Sequence, residues 1–304
     1  MSQYIPLQRA GKKQYLNSSD IPVLLDFRIC PIKHRIFSEY YKFHKIVIDS
    51  FEIQNNKLKS VVYPVYPSGC SMFIFFIGRE FKGKIVGSYT SIFNVTIPCK
   101  TTMYVVRMKP GALHFFFPFA INEFTDRAVP IQELKIESKK LCQQIRFAES
   151  FHERNVMFQR YLEILHAQDF DMEEKLKVCL QLGFKHKGII KVNDIAKTVA
   201  CSTRYINRLF LSIIGVSPKV FFQLLQLQYS LKKILELRPK SIMEIALDSG
   251  YFDQAHMNRS YQKYLNCTAF AVKKINAKDI SNQEILLDAN YAKASVCDLY
   301  KLRF

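Results

Sequence analysis

The chain has 304 residues, 49% hydrophobic, 23% charged and 13% aromatic; this exceeds the usual length of one domain and excludes wholesale disorder or low-complexity structure. Lys plus Arg number 44 against 26 Asp plus Glu, a net charge of +18, which points to nucleic acid or an anionic surface as partner. Cys30, Cys70, Cys99, Cys142, Cys179, Cys201, Cys267 and Cys297 form no C-x-x-C pair and no Cys/His cluster at zinc spacing, so no metal site or cofactor is expected, only reduced thiols in a cytoplasmic protein.

The N-terminal MSQYIPLQRAGKKQYL lacks the apolar stretch of a signal peptide, and no segment reaches bilayer-spanning length, so no membrane association is expected. From about Ile46 to Met108 come short runs rich in β-branched and aromatic residues, VVYPVYP, MFIFFIG, KIVGSYTSIFNVTI and TTMYVVRM, each punctuated by Pro, Gly or Asn. That grammar predicts an antiparallel sheet curling into a barrel or sandwich. After Lys109-Pro110-Gly111 the cluster Phe115, Phe116, Phe117 and Phe119 belongs in a core, with a pocket wall as the alternative. Apolar spacing then turns helical from Glu137 to His166, with a break near Ser150. Short, polar Ala167 to Asp171 is the expected boundary, and the rest reads as short helices followed by a tail. The expected fold is α+β multidomain: a β-barrel or sandwich-like domain over 1–136, two linker helices over 137–171, an all-α domain over 172–280 and a tail over 281–304. The segment 171–280 carries 18 basic and 9 acidic residues, the densest positive charge in the chain.

Within it, VNDIAKTVACSTRYINRLFL places Ile195, Ala196 and Val199 on one apolar face and Ile206, Leu209 and Phe210 on a second, joined by a tight turn at Cys201-Ser202. Ser202 is suited to cap the second helix. Thr203, Arg204, Asn207 and Arg208 fall away from the apolar face. The same grammar returns in SIMEIALDSGYFDQAHMNRSYQKY: Ser241 and Glu244 form a capping box, Gly250 turns the chain, and Met257 and Tyr261 anchor a helix whose outward set is Gln254, His256, Asn258 and Arg259. Gln and Asn suit adenine edges and Arg suits guanine, so this helix fits a major groove. Between the two units, Ser217-Pro218 starts and Pro239 follows a helix expected over about Pro218 to Leu237. Its ~30 Å length approaches the ~34 Å of one DNA turn.

DIAKTVACSTRYINRLF, IGVSPKVFF and SIMEIALDSGYFDQAHMNRSYQKY together resemble the DNA-binding domain of the AraC family of bacterial regulators over roughly residues 172 to 275. The resemblance implies a seven-helix domain with two reading helices, directing Arg204, Asn207 and Arg208, then Gln254, Ala255, His256, Asn258 and Arg259, at double-stranded DNA; Ser202 and Thr203, at the start of the first of these helices, are expected to contact it as well. Ala255 is too short to hydrogen-bond and would contact a thymine methyl. The sequence departs from the family pattern at Gln226, where an Arg is usual, at Asn266 and Ala269 in place of Gly and Pro, and at Lys191 in place of a capping Ser or Thr. VVRMKPGALHFFFPFAINEFTDRAVPIQEL resembles part of the N-terminal domains of some of these regulators. That implies sensing of a small-molecule effector or homodimerisation, with Arg107, His114 and Phe116 as pocket candidates, and RNA polymerase as a further partner. A role limited to closing the fold is the alternative for those three.

No H-E-x-x-H, P-loop, G-x-S-x-G or G-x-G-x-x-G pattern occurs, so no catalytic residue is expected. A nonspecific architectural DNA binder is the competing function, since it would use the same basic surface without reading bases.

Overall fold

Strand geometry follows from the alternation of bulky apolar side chains. In the computed structural model, which describes Ile5–Pro6, Ile32–Ile36 and residues 42–117, 119–131, 136–167, 170–235 and 241–280, the runs between Ile46 and Met108 form six strands. These are β3 (Val47–Asn55), β4 (Val61–Val65), β5 (Ser71–Ile77), β6 (Phe81–Val86), β7 (Phe93–Ile97) and β8 (Thr101–Met108). They are preceded by β1 (Ile5–Pro6) and β2 (Ile32–Ile36), and β9 (Arg127–Pro130) completes the set. Seven strands make one antiparallel sheet in the order β1-β9-β6-β5-β8-β3-β2, and β4 and β7 pair as a second. Among the described residues the sheets do not close into a barrel. The short sheet instead lies over one face of the long one, enclosing Phe51, Ile74, Val95, Met103 and Val105.

Alternation assigns β3 and β8 residues to opposite faces. Asp49 and Arg107 sit opposite each other in the register and face the small sheet's side, where the Arg107 Nε donates to Asp49 Oδ1 at 2.6 Å and a second guanidinium nitrogen bonds the other carboxylate oxygen. Ser50, Glu52 and Tyr104 face the other way. There α1 (Ile136–Phe147) and α2 (Phe151–Ile164) cover the sheet, with Ser150 capping α2 through the Glu153 amide. Leu141, Ile145, Phe158 and Leu162 share a core with Phe73, Phe75 and Tyr104. A polar seam fixes this packing: Arg154 of α2 donates to Glu52 at 2.7 Å, and Ser50 and Tyr104 both donate to Asn155.

Seven further helices follow: α3 (Glu174–Lys185), α4 (Val192–Thr198), α5 (Thr203–Ile213), α6 (Pro218–Leu235), α7 (Ile242–Asp248), α8 (Gln254–Leu265) and α9 (Ala269–Ile280). The end of α6 expected at Leu237, the stop at Pro239 and the tail 281–304 lie outside the described residues. The helices form two cores. One holds Leu176, Leu180, Ile195, Ile206, Phe210, Phe221 and Phe222, the other Leu224, Leu227, Leu231, Ile245, Met257 and Tyr261. Both accept residues from the β-rich part, Ile48 and Cys70 in the first and Tyr66 and Ile92 in the second. At Gly69, φ is +68° and a Cβ would lie 2.7 Å from the Phe221 ring, so the β4–β5 turn approaches α6 too closely for a side chain. Ser88 donates to the Ile214 carbonyl, Thr125 to that of Gly215, and the Ile92 amide to that of Tyr264.

Two measurements check this packing. Arg154→Ala removes the nearest cation from the buried Glu52 carboxylate, leaving it the Gln54 amide at 3.0 Å and the partly exposed Lys33 ammonium at 3.8 Å, and is expected to cost about 3 kcal/mol in urea denaturation, the low end for loss of one partner of a buried pair. Burial pushes the thiols of Cys70 and Cys267 up to about 12 and those of Cys142 and Cys179 up to about 11, leaving little reactive thiolate. Among the cysteines of the described residues, alkylation at pH ~8 followed by peptide mass spectrometry should therefore label exposed Cys99 first and half-buried Cys201 more slowly. Labelling of Cys70 or Cys267 in the native protein at the rate of Cys99 would contradict the docking of the two halves.

Candidate nucleic-acid interface

Each helix-turn-helix unit is built by local rules. In the first, α4 begins at Lys191, whose side chain makes no capping bond. The chain reverses through Ala200 at φ +50°, with the Cys201 amide donating to the Ala196 carbonyl. Ser202 then caps α5 by accepting from the Tyr205 amide at 3.1 Å. Ile206, Leu209 and Phe210 are buried, while Ser202, Arg204 and Arg208 are exposed and Thr203 and Asn207 half-buried. The Asn207 side-chain amide donates back to the Thr203 carbonyl at 2.9 Å. Tyr205, which periodicity alone did not single out, organises the surface around it. Its hydroxyl donates to Glu173 at 2.6 Å, and Arg208 and Lys175 lie 5.6 and 5.4 Å from its ring centroid.

In the second unit the expected capping box is present: Ser241 accepts from the Glu244 amide at 3.1 Å and Glu244 accepts from the Ser241 amide at 2.7 Å. Gly250 turns at φ +73°, with Ile189 2.6 Å from the place a Cβ would take. Asp253, not anticipated, caps α8 through the His256 amide. Gln254, Ala255, His256 and Arg259 are exposed. The Phe252 amide donates to His256 Nδ1 at 3.3 Å and the Tyr251 ring meets the imidazole edge-on at 5.3 Å. With Nδ1 accepting, the neutral ring carries its proton on Nε2 and presents a donor. Phe252 occupies the position before the cap, where an apolar residue commonly packs onto the fourth helical residue. That residue, Met257, is fully buried, yet Phe252 is 85% exposed. The two do not form a staple.

Asn258 has a different setting. Its Oδ1 accepts from the Ala269 amide at 3.1 Å, closing the start of α9, and it is half-buried. The Asn266 position, where the family pattern has Gly, adopts φ +56°, a left-handed conformation that Asn tolerates better than most residues.

The connecting helix α6 has 18 residues, roughly 27 Å at helical rise, and meets α5 at 69°. The Ser217 hydroxyl accepts from the Val220 amide at its start. Gln226, where the family has Arg, donates to the Ser249 carbonyl at 2.9 Å and so ties α6 to the end of α7.

The three pocket candidates do not come together. Arg107 lines a small cavity between the two sheets, whereas Phe116 lies in the core on the opposite, helix-covered face and His114 sits in a 3-10 turn, Ala112–Phe115, beside it. Expecting them to share a pocket treated neighbours in sequence as neighbours in space, but β8 ends and the chain turns between Arg107 and His114. Phe117 is buried and Phe119 is 43% exposed. Among the described residues no group of three or more His, Cys, Asp or Glu is placed to hold a metal ion, and no single helix is long and apolar enough to cross a membrane.

Comparison with known proteins gives two family matches, a helix-turn-helix domain over residues 195–275 and a domain of unknown function (DUF6597) over residues 45–130. An uncharacterized HTH-type transcriptional regulator, YidL of Escherichia coli (strain K12), is 29% identical over 101 residues, which is 33% of this chain and 33% of the relative. The chain thus spans about a third of the length of that curated relative. Two solved structures of ToxT from Vibrio cholerae are 12% identical with a TM-score of 0.38 each. One match covers 81% of this chain and 97% of ToxT, the other, with the apo form of a ToxT variant, 73% and 99%.

The capping role of Asn258 is open to a direct check. Asn258→Ala should destabilise the protein by about 1 kcal/mol, as loss of a helix-terminal hydrogen bond does, read from thermal unfolding. A fall in DNA affinity with unchanged stability would instead make it a base reader.

Proposed function

We propose that this chain is a transcription regulator of the AraC family that binds double-stranded DNA sequence-specifically by seating α5 and α8 in successive major grooves on one face of a duplex. The observation that carries this reading is the pairing of two capped helices with exposed polar faces on a single buried helix. The ~27 Å of α6 approaches the ~34 Å repeat of the grooves, and one chain would then read an asymmetric site. Arg204, Arg208 and Arg259 supply donors for guanine and phosphate. Gln254 and Asn207 suit adenine, and His256 Nε2 donates to a base or phosphate acceptor. Ser202 and Thr203 at the α5 N-terminus lie where backbone amides and the helix dipole favour a phosphate. Phe252 and Ala255 are both exposed and offer apolar surface suited to thymine methyl groups.

Residues 172–280 form the DNA-binding unit in this reading. The β-rich residues 1–136 sense a signal, and 137–171 link the two or support a homodimer. RNA polymerase is the partner through which bound protein acts on transcription. The protein works in the cytoplasm, without a catalytic role.

Selection of binding sites from random duplexes, followed by titration of variants, tests the assignment. Arg208→Ala and Arg259→Ala are each expected to cost about 1–3 kcal/mol at the selected site and to relax preference at one position. Phe252→Ala should lose affinity on the thymine site and little on the same site carrying uracil. Failure to select any site would favour an architectural binder, and equal losses on random DNA would reassign the arginines to phosphate contact.

A further inference from the structure

The first reading helix is joined to α3 by a contact that local rules do not call for. Glu173 occupies the N-cap position of α3, but its side chain makes no capping bond. Its carboxylate instead accepts from the hydroxyl of Tyr205, 32 residues away on α5, at 2.6 Å. That bond raises the Tyr205 pKa above its ordinary value, so the phenol stays protonated and remains a donor at neutral pH. The residue is thus fixed at both ends, the hydroxyl by Glu173 and the backbone amide by the Ser202 cap.

Arg208 lies one turn beyond Tyr205 on the same side of α5. Its guanidinium carbon is 5.6 Å from the centroid of the Tyr205 ring, within range of a cation–π contact, and the Lys175 ammonium of α3 is 5.4 Å from the same centroid. The second unit supplies an internal comparison. Counting from the caps, Ser202 and Asp253, Arg208 corresponds to Arg259 and Tyr205 to His256. His256 is engaged differently: its Nδ1 accepts from the Phe252 amide and its ring meets that of Tyr251 edge-on. An exposed arginine samples many rotamers, and a base edge must select one of them. A ring fixed beside the guanidinium makes part of that selection beforehand.

We propose that Glu173 and Tyr205 form a positioning pair: the carboxylate fixes the phenol, and the ring holds the Arg208 guanidinium in the orientation that reads its base pair. The inference rests on the reading of Arg208 as a base contact. Tyr205 acts through Arg208 and not through a bond of its own to a base. Preference at the base pair read by Arg208 then depends on Glu173, a residue outside the helix-turn-helix unit, while preference at the base pair read by Arg259 does not.

Two arms on the full chain test this. Without DNA, the side-chain protons of Arg208 should show an upfield ring-current shift in NMR spectra, retained in Tyr205→Phe and abolished in Tyr205→Leu. With a selected DNA site, the position that Arg208→Ala relaxes is the one to follow. There Tyr205→Leu should reduce base preference about two- to fivefold, the ratio that a cation–π contact at an exposed position supplies, and leave the position relaxed by Arg259→Ala unchanged. In the Arg208→Ala background the same substitution should have no further effect. Glu173→Ala should cause part of the loss, and Glu173→Gln, whose carboxamide oxygen still accepts, should restore most of it. These two variants decide the matter if Tyr205→Leu does not fold. Losses that add in the Arg208→Ala background, losses equal at every position of the site, or a wild-type Arg208 without the ring-current shift would each overturn the pair. If the shift is present and lost in Tyr205→Leu but no DNA site can be selected, the DNA reading has failed, and of the pair only its hold on Arg208 survives.

Discussion

The arrangement depends on one buried helix. A helix apolar on nearly all sides has no solvent face to define its orientation, so its neighbours must fix it. α6 meets that condition in three directions. Phe221, Phe222 and Leu225 enter the first helical core, Leu224, Leu227, Leu231 and Ile234 enter the second, and Phe221 also presses on the turn at Gly69. Its polar residues are tie points. Gln223 accepts from the Tyr264 hydroxyl, Gln226 donates to the Ser249 carbonyl, Gln228 to that of Pro67, and Ser230 shares a hydrogen bond with Tyr261. Each polar group buried on the strut thus specifies one relative position of the parts around it.

The β-rich half is engaged at helix ends, where backbone carbonyls have no partner within the helix. Ser88 and Thr125 satisfy the carbonyls of Ile214 and Gly215 just beyond α5, and the Ile92 amide satisfies that of Tyr264 near the end of α8. Both candidate reading helices are therefore held at their C-terminal ends by the same scaffold. Their N-terminal ends, carrying Ser202 and Asp253 as caps, remain exposed with the positive end of each helix dipole.

Legibility in the sequence follows the range of the interaction. The two helix-turn-helix units, the capping box at Ser241 and Glu244, the cap at Ser202, the start of α6 at Ser217-Pro218 and the turn at Gly250 arise from contacts within a few residues, and periodicity and side-chain chemistry reveal them. The exposed arginines were legible for the same reason, since the apolar face of a short helix defines the opposite face. The roles of Tyr205, Phe252 and Asn258 were not. Tyr205 is defined by Glu173, 32 residues away, and Asn258 by the first turn of α9. Phe252 stands out only because Met257, the residue it would have packed against, is buried elsewhere.

In the N-terminal half, the sequence by itself determined that the chain would form antiparallel strands followed by two helices, because alternating apolar residues with Pro and Gly at the turns leave few other options. It did not determine that the sheet stays open, that β9 joins it, or that Arg107 spends its charge on Asp49 across the β3–β8 register. The same holds for the strut, where composition implied a helix of the right length but not that Gln228 would reach between the two halves. Helices, caps and turns are set by residues adjacent in the chain. A cavity between the sheets exists only once residues 161 positions apart, such as Pro67 and Gln228, are brought into contact by the burial of apolar surface.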